Sequence, residues 1–575
     1  MIIFCITVGI VLTEGNSPQE FKISGKVIDQ SGTPVSDATV KLNAADMTTA
    51  TDKNGNFSIQ SNTGTIASFG MEVAQPNFAF LSKGKIEIRT SKKTEVRIMG
   101  FNLRGKVIFK KVRFADAGIH LFSTPSLRHG VTLFKVTAGG RTAYLKTYFL
   151  GGIIQGGVQG ESSPVFSGAS TKQASADQPF KVKKSLVDKF NDKLSVSKAG
   201  YLTYQTWIYQ AETRNMEIRL VKSDYPKLTK ESVFTKKPTK MVHASTILEL
   251  ENGDLLCAWY GGPSEQSKDT KVYLSRKPYG GQWTPIQMIA DGHGNVAWNP
   301  VLFQPRGGEV MCFYKSPDIQ TGEVINSIDN GLTWSTWKPV GKGLTGPVAN
   351  KPVQLDDGTI ISPTSRQDPE RIHVEISTDN GKTWTHSGDL SDFKQYPVIQ
   401  PTIFVHSQTK LQMIMRRSYA KSAGITLATT WSHDAGQTWD SLLSLIPLPA
   451  NDSKQDGLTL REGDKPHLLC YNHATRASSG MGSKGRGFLN LAASKNGKDW
   501  DAALIIEHSS GGRNSYPSII QTRDGLLHIT YSKNRGSIGH AIVNPTLLTE
   551  MVPMPDGKWP NDGPLSLKAY KEGKQ

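Results

Sequence analysis

At 575 residues the chain is longer than one hydrophobic core supports, so several domains are expected, and 55 Gly with 30 Pro suit an all-β protein rich in turns. Lys and Arg number 67 against 50 Asp and Glu, a formal net charge of +17 that suits an anionic partner such as an acidic glycan. Nucleic acid is disfavoured, because the chain has no zinc-finger spacing, helix-turn-helix pattern or aromatic ribonucleoprotein signature.

The run Met1 to Leu12 is apolar and is followed by polar residues, which makes residues 1–20 a signal-like segment without its basic start. It is too short for a stable membrane span in the mature protein, so a secreted, periplasmic or cell-surface location is expected. Strand-like alternation and turn signals fill residues 21–100 (KISGKVIDQSGTPVSDATVKL, then TTATDKNGNFSI). Their Gly-x-Val, Ser-Gly-Thr-Pro-Val and Thr-Asp-x-x-Gly-x-Phe phrases resemble the carboxypeptidase regulatory-like β-sandwich. Asp52 to Gly55 reads as a hairpin turn, since it lacks the ligand density of a calcium loop. Residues 101–223 form a second β-rich accessory module, whose SVSKAGYLTYQTWIYQ resembles the closing strands of another such sandwich. Its insert 151–180 has too little apolar content to pack and is expected to be flexible. Neither module carries an acid/base constellation, so spacing, attachment or glycan contact is their expected role. Residues 224–240 read as a linker and 551–575 as a C-terminal tail.

Between them one phrase returns. Ser327 to Trp334, Ser377 to Trp384 and Ser432 to Trp439 are three copies of S-x-D-x-G-x-T-W, flanked by worn copies ending at Trp283 and Trp500. The Trp positions fall 51, 50, 55 and 61 residues apart, the spacing of a four-stranded blade with its loops. Asp and Asn bond their own backbone, Gly takes positive φ and Trp packs the turn, so Asp329, Asp379 and Asp434 are structural turn residues. This is the Asp-box, and with it residues 236–550 resemble the sialidase superfamily of BNR-repeat propellers. The implied fold class is all-β, a six-bladed β-propeller preceded by one or two small β-sandwich modules. Cys257, Cys312 and Cys470 lie in apolar strand-like runs and read as buried thiols. Without C-x-x-C spacing, neither they nor Cys5 indicate a disulfide scaffold or metal site, and no cofactor is expected.

Sialidases act on a sugar whose anomeric carbon bears a carboxylate. The resemblance therefore implies an arginine triad, a tyrosine nucleophile with an accompanying glutamate, and an aspartic acid as general acid/base. The first arginine's position holds His243, and the tyrosine's glutamate is replaced by Gln400. Asp269 falls in the place of the catalytic aspartate and Tyr516 in that of the tyrosine. Arg417, or its neighbour Arg416, and Arg486 match the second and third arginines. Strand alternation lets only one of Arg416 and Arg417 face the site. Polar loop phrases place His293, Asn299 and Arg366 as further substrate contacts. With two parts changed, an ordinary exo-sialidase is not expected. The leading expectation is a glycoside hydrolase acting on a terminal acidic or unusual sugar. A uronic-acid polysaccharide lyase using His243, His293, Tyr516 and Arg417, and a non-catalytic glycan-binding propeller, are the alternatives.

Overall fold

The structure, a computed structural model, describes residues 21–60, 79–82, 85–90, 93–101, 107–123, 130–138, 141–150, 153–154, 191–210, 212–318, 322–367, 370–390, 397–417, 426–441, 443–449, 451–474 and 485–573. The signal-like segment and nearly all of the insert 151–180 lie outside the described residues.

Among the described residues, the alternating apolar runs after residue 228 form six antiparallel sheets, five of four strands and one of five. Their inner strands are Met241–Glu249, Trp298–Phe303, Val353–Gln354, Val398–Val405, Asp456–Thr459 and Asn514–Gln521, and they number blades one to six here. Inner strands meet between blades one and two, four and five, and five and six, that of blade four packs on the second strand of blade three, Ile360–Gln367, and that of blade six returns to that of blade one, as in a propeller. Second strands such as Leu255–Gly262 and Val310–Lys315 are buried along their whole length. Blades cover both of their faces, which is why LLCAWY and VMCFYK read as unbroken apolar runs. Cys257, Cys312 and Cys470 are buried free thiols in these strands.

Two short stretches depart from the sequence expectation. Leu228–Ser232, inside the expected linker, is the outermost strand of blade six, paired antiparallel with Gly539–Val543. Its Lys-bearing character is that of a protected edge strand, which in sequence looks like a linker. In the expected tail, Val552–Pro553 adds a fifth strand to blade five, and Trp559 is buried with its Nε1 donating to Leu565 O at 2.7 Å.

The Asp-boxes are closed local knots. In the blade-three copy Asp379 accepts from Ser377 Oγ at 2.8 Å, Thr383 N at 2.9 Å and Thr383 Oγ1 at 2.6 Å, while Gly381 adopts φ +83. Trp384 packs edge-on against Phe313 of blade two, with ring centroids 6.0 Å apart. Each box thus fastens its blade to the preceding one. Burial opposes, but the Thr383 and Ser377 hydrogen bonds prevail and hold the Asp379 carboxyl below its ordinary range. A depressed folded pKa adds stability above the unfolded value that disappears as pH falls through the folded one. Asp379→Ala is therefore expected to destabilise by about 1 kcal/mol at neutral pH, a difference that shrinks below about pH 4 in urea unfolding, with ligand preference unchanged.

The front of the chain divides differently from expectation. Strands Lys22–Asp29, Thr39–Leu42, Met47–Ala50 and Asn56–Gln60 form a two-sheet sandwich only together with Asp192–Ser197, Tyr204–Ile208 and Glu212–Leu220. The expected closing strands thus complete this sandwich rather than a second one, and Ile23, Val27, Leu42, Leu194 and Ile218 share its core. The Asp52 turn is a hairpin, its carboxylate accepting from Asn54 N and Asn56 N at 2.8 and 2.7 Å. Residues 61–187 belong to a separate unit, whose described part has a five-stranded and a three-stranded sheet.

The sandwich rests on the hairpin turns that end the inner strands. Gln205 N donates to Arg523 O at 2.9 Å, Arg461 Nη1 to Gln205 O at 3.3 Å, and the Arg306 guanidinium lies 3.9 Å from the Trp207 ring centre. Lys193 pairs with Asp356 at 2.9 Å.

Candidate active site

At the opposite end, where the inner strands begin, the same irregularity recurs. Pairing shifts between His243 and Thr246, Trp298 and Val301, Ile399 and Thr402, and Ser515 and Ser518. Inside these bulges Ala244, Asn299, Gln400 and Tyr516 take φ of +53, +43, +52 and +59. A bulge re-aims a side chain, and the following Pro300, Pro401 and Pro517 suit it because proline donates no ladder hydrogen bond. Left-handed backbone at a non-glycine residue costs about 1 kcal/mol or more and collects at functional sites.

The bulges bring Gln400 and Tyr516 to one guanidinium. Arg416 Nη1 donates to Tyr516 OH at 2.9 Å and to Gln400 Oε1 at 2.8 Å, and its Nε and Nη2 donate to Asp452 Oδ1 at 3.0 and 2.6 Å. Of the two neighbours it is thus Arg416 that contacts Tyr516 and Gln400; alternation turns Arg417 to the other face of its strand. The Arg486 guanidinium lies 5.8 Å from the Tyr516 ring centre and donates to Asp452 O. The His243 ring centre is 4.2 Å from that of Tyr516, and its Nδ1 shares a 2.8 Å hydrogen bond with Ser532 Oγ.

Asp269 is exposed on the loop after Leu255–Gly262, its backbone N–H donating to Ser267 Oγ. The carboxylate of that loop which joins the cluster is Glu265. It accepts from Tyr260 OH and Arg535 Nη2, both at 2.8 Å, and its backbone carbonyl accepts from Trp298 Nε1. Tyr260, Trp298 and Tyr516 pack together. His293 stands apart: its Nε2 is 3.4 Å from Tyr314 OH and 3.6 Å from Glu323 Oε2, and its ring stacks on Trp337 at 4.3 Å. Asn299 is buried on its bulge beside Trp298, and Arg366 donates to Gly343 O at 3.1 Å. The structure therefore unites His243, Gln400, Arg416, Arg486 and Tyr516 of the expected residues, with Arg416 in place of Arg417, and adds Asp452, Glu265 and Arg535.

Electrostatics set the state of each group. Burial pushes the Tyr516 phenol up, but the Arg416 and Arg486 guanidiniums and the Gln400 hydrogen bond outweigh it, and the hydroxyl lies below its ordinary value. Burial draws Arg486 down to about 10, against the pull of Tyr516. His243 is fully buried and surrounded by the fields of Arg535, Arg486, Arg513 and Arg416, all of which, after burial, hold its imidazole well below the usual range. It is neutral at neutral pH and offers no positive charge to an anion. Arg513 and Arg535 are the further cations whose fields reach the same ring. The Nε atoms of Arg486, Arg513 and Arg535 and the Nε2 of His243 are buried without a hydrogen-bond partner among the described residues.

Residues 253–529 match the family described as BNR repeat-like domain, and residues 22–99 match the carboxypeptidase regulatory-like domain. No curated protein matches the chain in sequence. Among solved structures, a protein of unknown function from Dyadobacter fermentans is similar at 17% identity over 55% of this chain and 99% of its own, with a TM-score of 0.43. The intramolecular trans-sialidase of Ruminococcus gnavus is 13% identical over 54% of this chain and 96% of its own, with a TM-score of 0.43. An α-L-arabinofuranosidase of Fusarium graminearum is 16% identical over 56% of this chain and 99% of its own, with a TM-score of 0.44. The chain carries a BNR repeat-like domain with a carboxypeptidase regulatory-like domain ahead of it.

Proposed function

We propose that this protein is an exported, carbohydrate-active enzyme of the sialidase-like kind, a glycoside hydrolase for a terminal acidic or unusual sugar. The observation that carries the proposal is the Tyr516 phenol, hydrogen-bonded to Arg416 at 2.9 Å and shifted toward ionisation by two guanidiniums. A tyrosine nucleophile ordinarily needs a neighbouring carboxylate to take its proton. Gln400 cannot do that, but guanidiniums that favour the phenolate lessen the need. Arg486, Arg513 and Arg535 hold the sugar's anionic group, and Glu265 handles the proton of the leaving oxygen and of the attacking water. The front modules attach the enzyme or contact its glycan.

Elimination from a uronic acid is the second reading, favoured by one observation: His243 is held neutral beside Tyr516 with an Nε2 that has no hydrogen-bond partner among the described residues, and so has the form of a base. Incubation with a panel of acidic glycans separates the two. Saturated sugar released by the wild type supports hydrolysis, an unsaturated uronate supports elimination, and binding without product leaves a glycan-binding propeller.

A further inference from the structure

Beneath Tyr516, on the propeller axis, lies a group of charges for which the reaction has no direct use. Lys454 and Asp456 are 1% and 2% exposed. They sit in the segment Asn451 to Asp456 that leads into the inner strand of blade five, and Lys351 reaches them from blade three. Three residues in a row after Tyr516 are gripped by this group. Lys454 Nζ donates to Pro517 O; Lys351 Nζ donates to Ser518 Oγ at 2.7 Å; and Ile519 N donates to Asp456 Oδ2 at 3.0 Å. Lys351 also donates to Asp456 Oδ2 at 2.7 Å, and Thr402 of blade four to Asp456 Oδ1 at 3.1 Å.

The Gln400 bulge is held in the same way. Its carbonyl accepts from Asn350 Nδ2 at 3.1 Å and from Gln455 Nε2 at 3.3 Å, and the Pro401 carbonyl accepts from Asn350 Nδ2 at 2.9 Å. Burying two ammoniums with one carboxylate is costly, and apolar side chains of similar volume would serve stability as well or better. Burial draws the Lys454 ammonium down to about 8 although Asp456 draws it up. What apolar residues would not supply is a directed hold on the carbonyl and hydroxyl that follow a strained residue.

We propose that Lys454, Asp456 and Lys351 form a buried clamp that positions Tyr516, fixing its left-handed bulge so that the phenol stays within reach of Arg416 and Arg486. They are positioning residues, and the inference rests on Tyr516 being the reacting group. The fields of Arg416 and Arg486 act on the phenol only at short range, so a loosened bulge loses them first.

The test reads Tyr516 itself. The ultraviolet titration of each variant, minus that of the same variant carrying Tyr516→Phe, isolates the ionisation of this one phenol. For Lys454→Met, Lys351→Met and the milder Ser518→Ala, the Tyr516 pKa is expected to rise by roughly one unit or more. In glycan turnover kcat should fall at least tenfold while KM stays within about twofold. An unmoved Tyr516 titration in folded variants overturns the clamp, whatever happens to activity. So does a failure of all three variants to fold, which would assign the cluster to stability alone. Should Tyr516→Phe retain full activity, the catalytic reading of Tyr516 fails, while the titration still decides whether the clamp holds the residue.

Discussion

Tyr516→Phe is expected to lower turnover by roughly 10³-fold or more while the protein stays folded, as seen by unchanged unfolding in urea. The substitution removes one hydroxyl, the group that Arg416 contacts at 2.9 Å, and keeps the ring that packs with Tyr260 and Trp298. Gln400 and Asp452 remain as partners for Arg416, so no buried cation is abandoned. Binding of an acidic sugar should persist, because its cationic contacts come from other side chains. Turnover within a few-fold of the wild type would remove Tyr516 from the chemistry and favour a binding propeller.

Arg416→Met is expected to have the largest effect on stability, about 3 kcal/mol in urea unfolding, together with loss of activity. One guanidinium ties blade four to Tyr516 of blade six and to Asp452, and its removal takes a cation 2.6 Å away from the Asp452 carboxylate. The double variant Arg416→Met/Asp452→Asn should regain part of the stability, since Asn tolerates the left-handed backbone of that position (φ +58) and removes the stranded charge. It should regain no activity, because the phenol has lost the cation that favours its ionised form. Additive losses in the double variant would show that the two residues do not act as a pair.

What could be read from the sequence was local. An Asp-box closes within a few residues, so its chemistry is written in its own letters: Asp379 bonds Thr383, and Gly381 supplies the positive φ. Gln400 and Tyr516 stood out through similarity to known segments, and the X-Pro step that follows each was a further signal of a bulge, shared with Asn299. Arg416 and Arg417 were not separable by alternation, because alternation says that one faces inward without saying which. The bulge between Ile399 and Thr402 on the partner strand fixes the answer. Glu265 was passed over for Asp269 because a loop has no period. Its selection depends on Tyr260, Trp298 and on Arg535, which lies 270 residues away. Nothing local marks Asp452 and Lys454, because only assembly of several blades around them gives their charges partners. The sandwich was misdivided for a similar reason: its first and last strands pair in parallel across the inserted unit, Lys22 beside Glu212, a pairing that leaves no mark in either segment.

The strand Leu228–Ser232 gives the molecule a load path. The chain leaves the front modules, lies down against Gly539–Val543 and only then begins the first blade, so any pull on the N-terminal region would reach the ring at this seam. Drawn along its own length, the strand shares that force over all of its paired residues at once. Arg306, Arg461 and Arg523 take some of it earlier, by stapling the sandwich to the turns at that end of the axis. Tyr516 and its arginines are at the other end, with the height of the blades between them and the sandwich. Tension entering from that side would have to open the seam before it could disturb the geometry around the phenol.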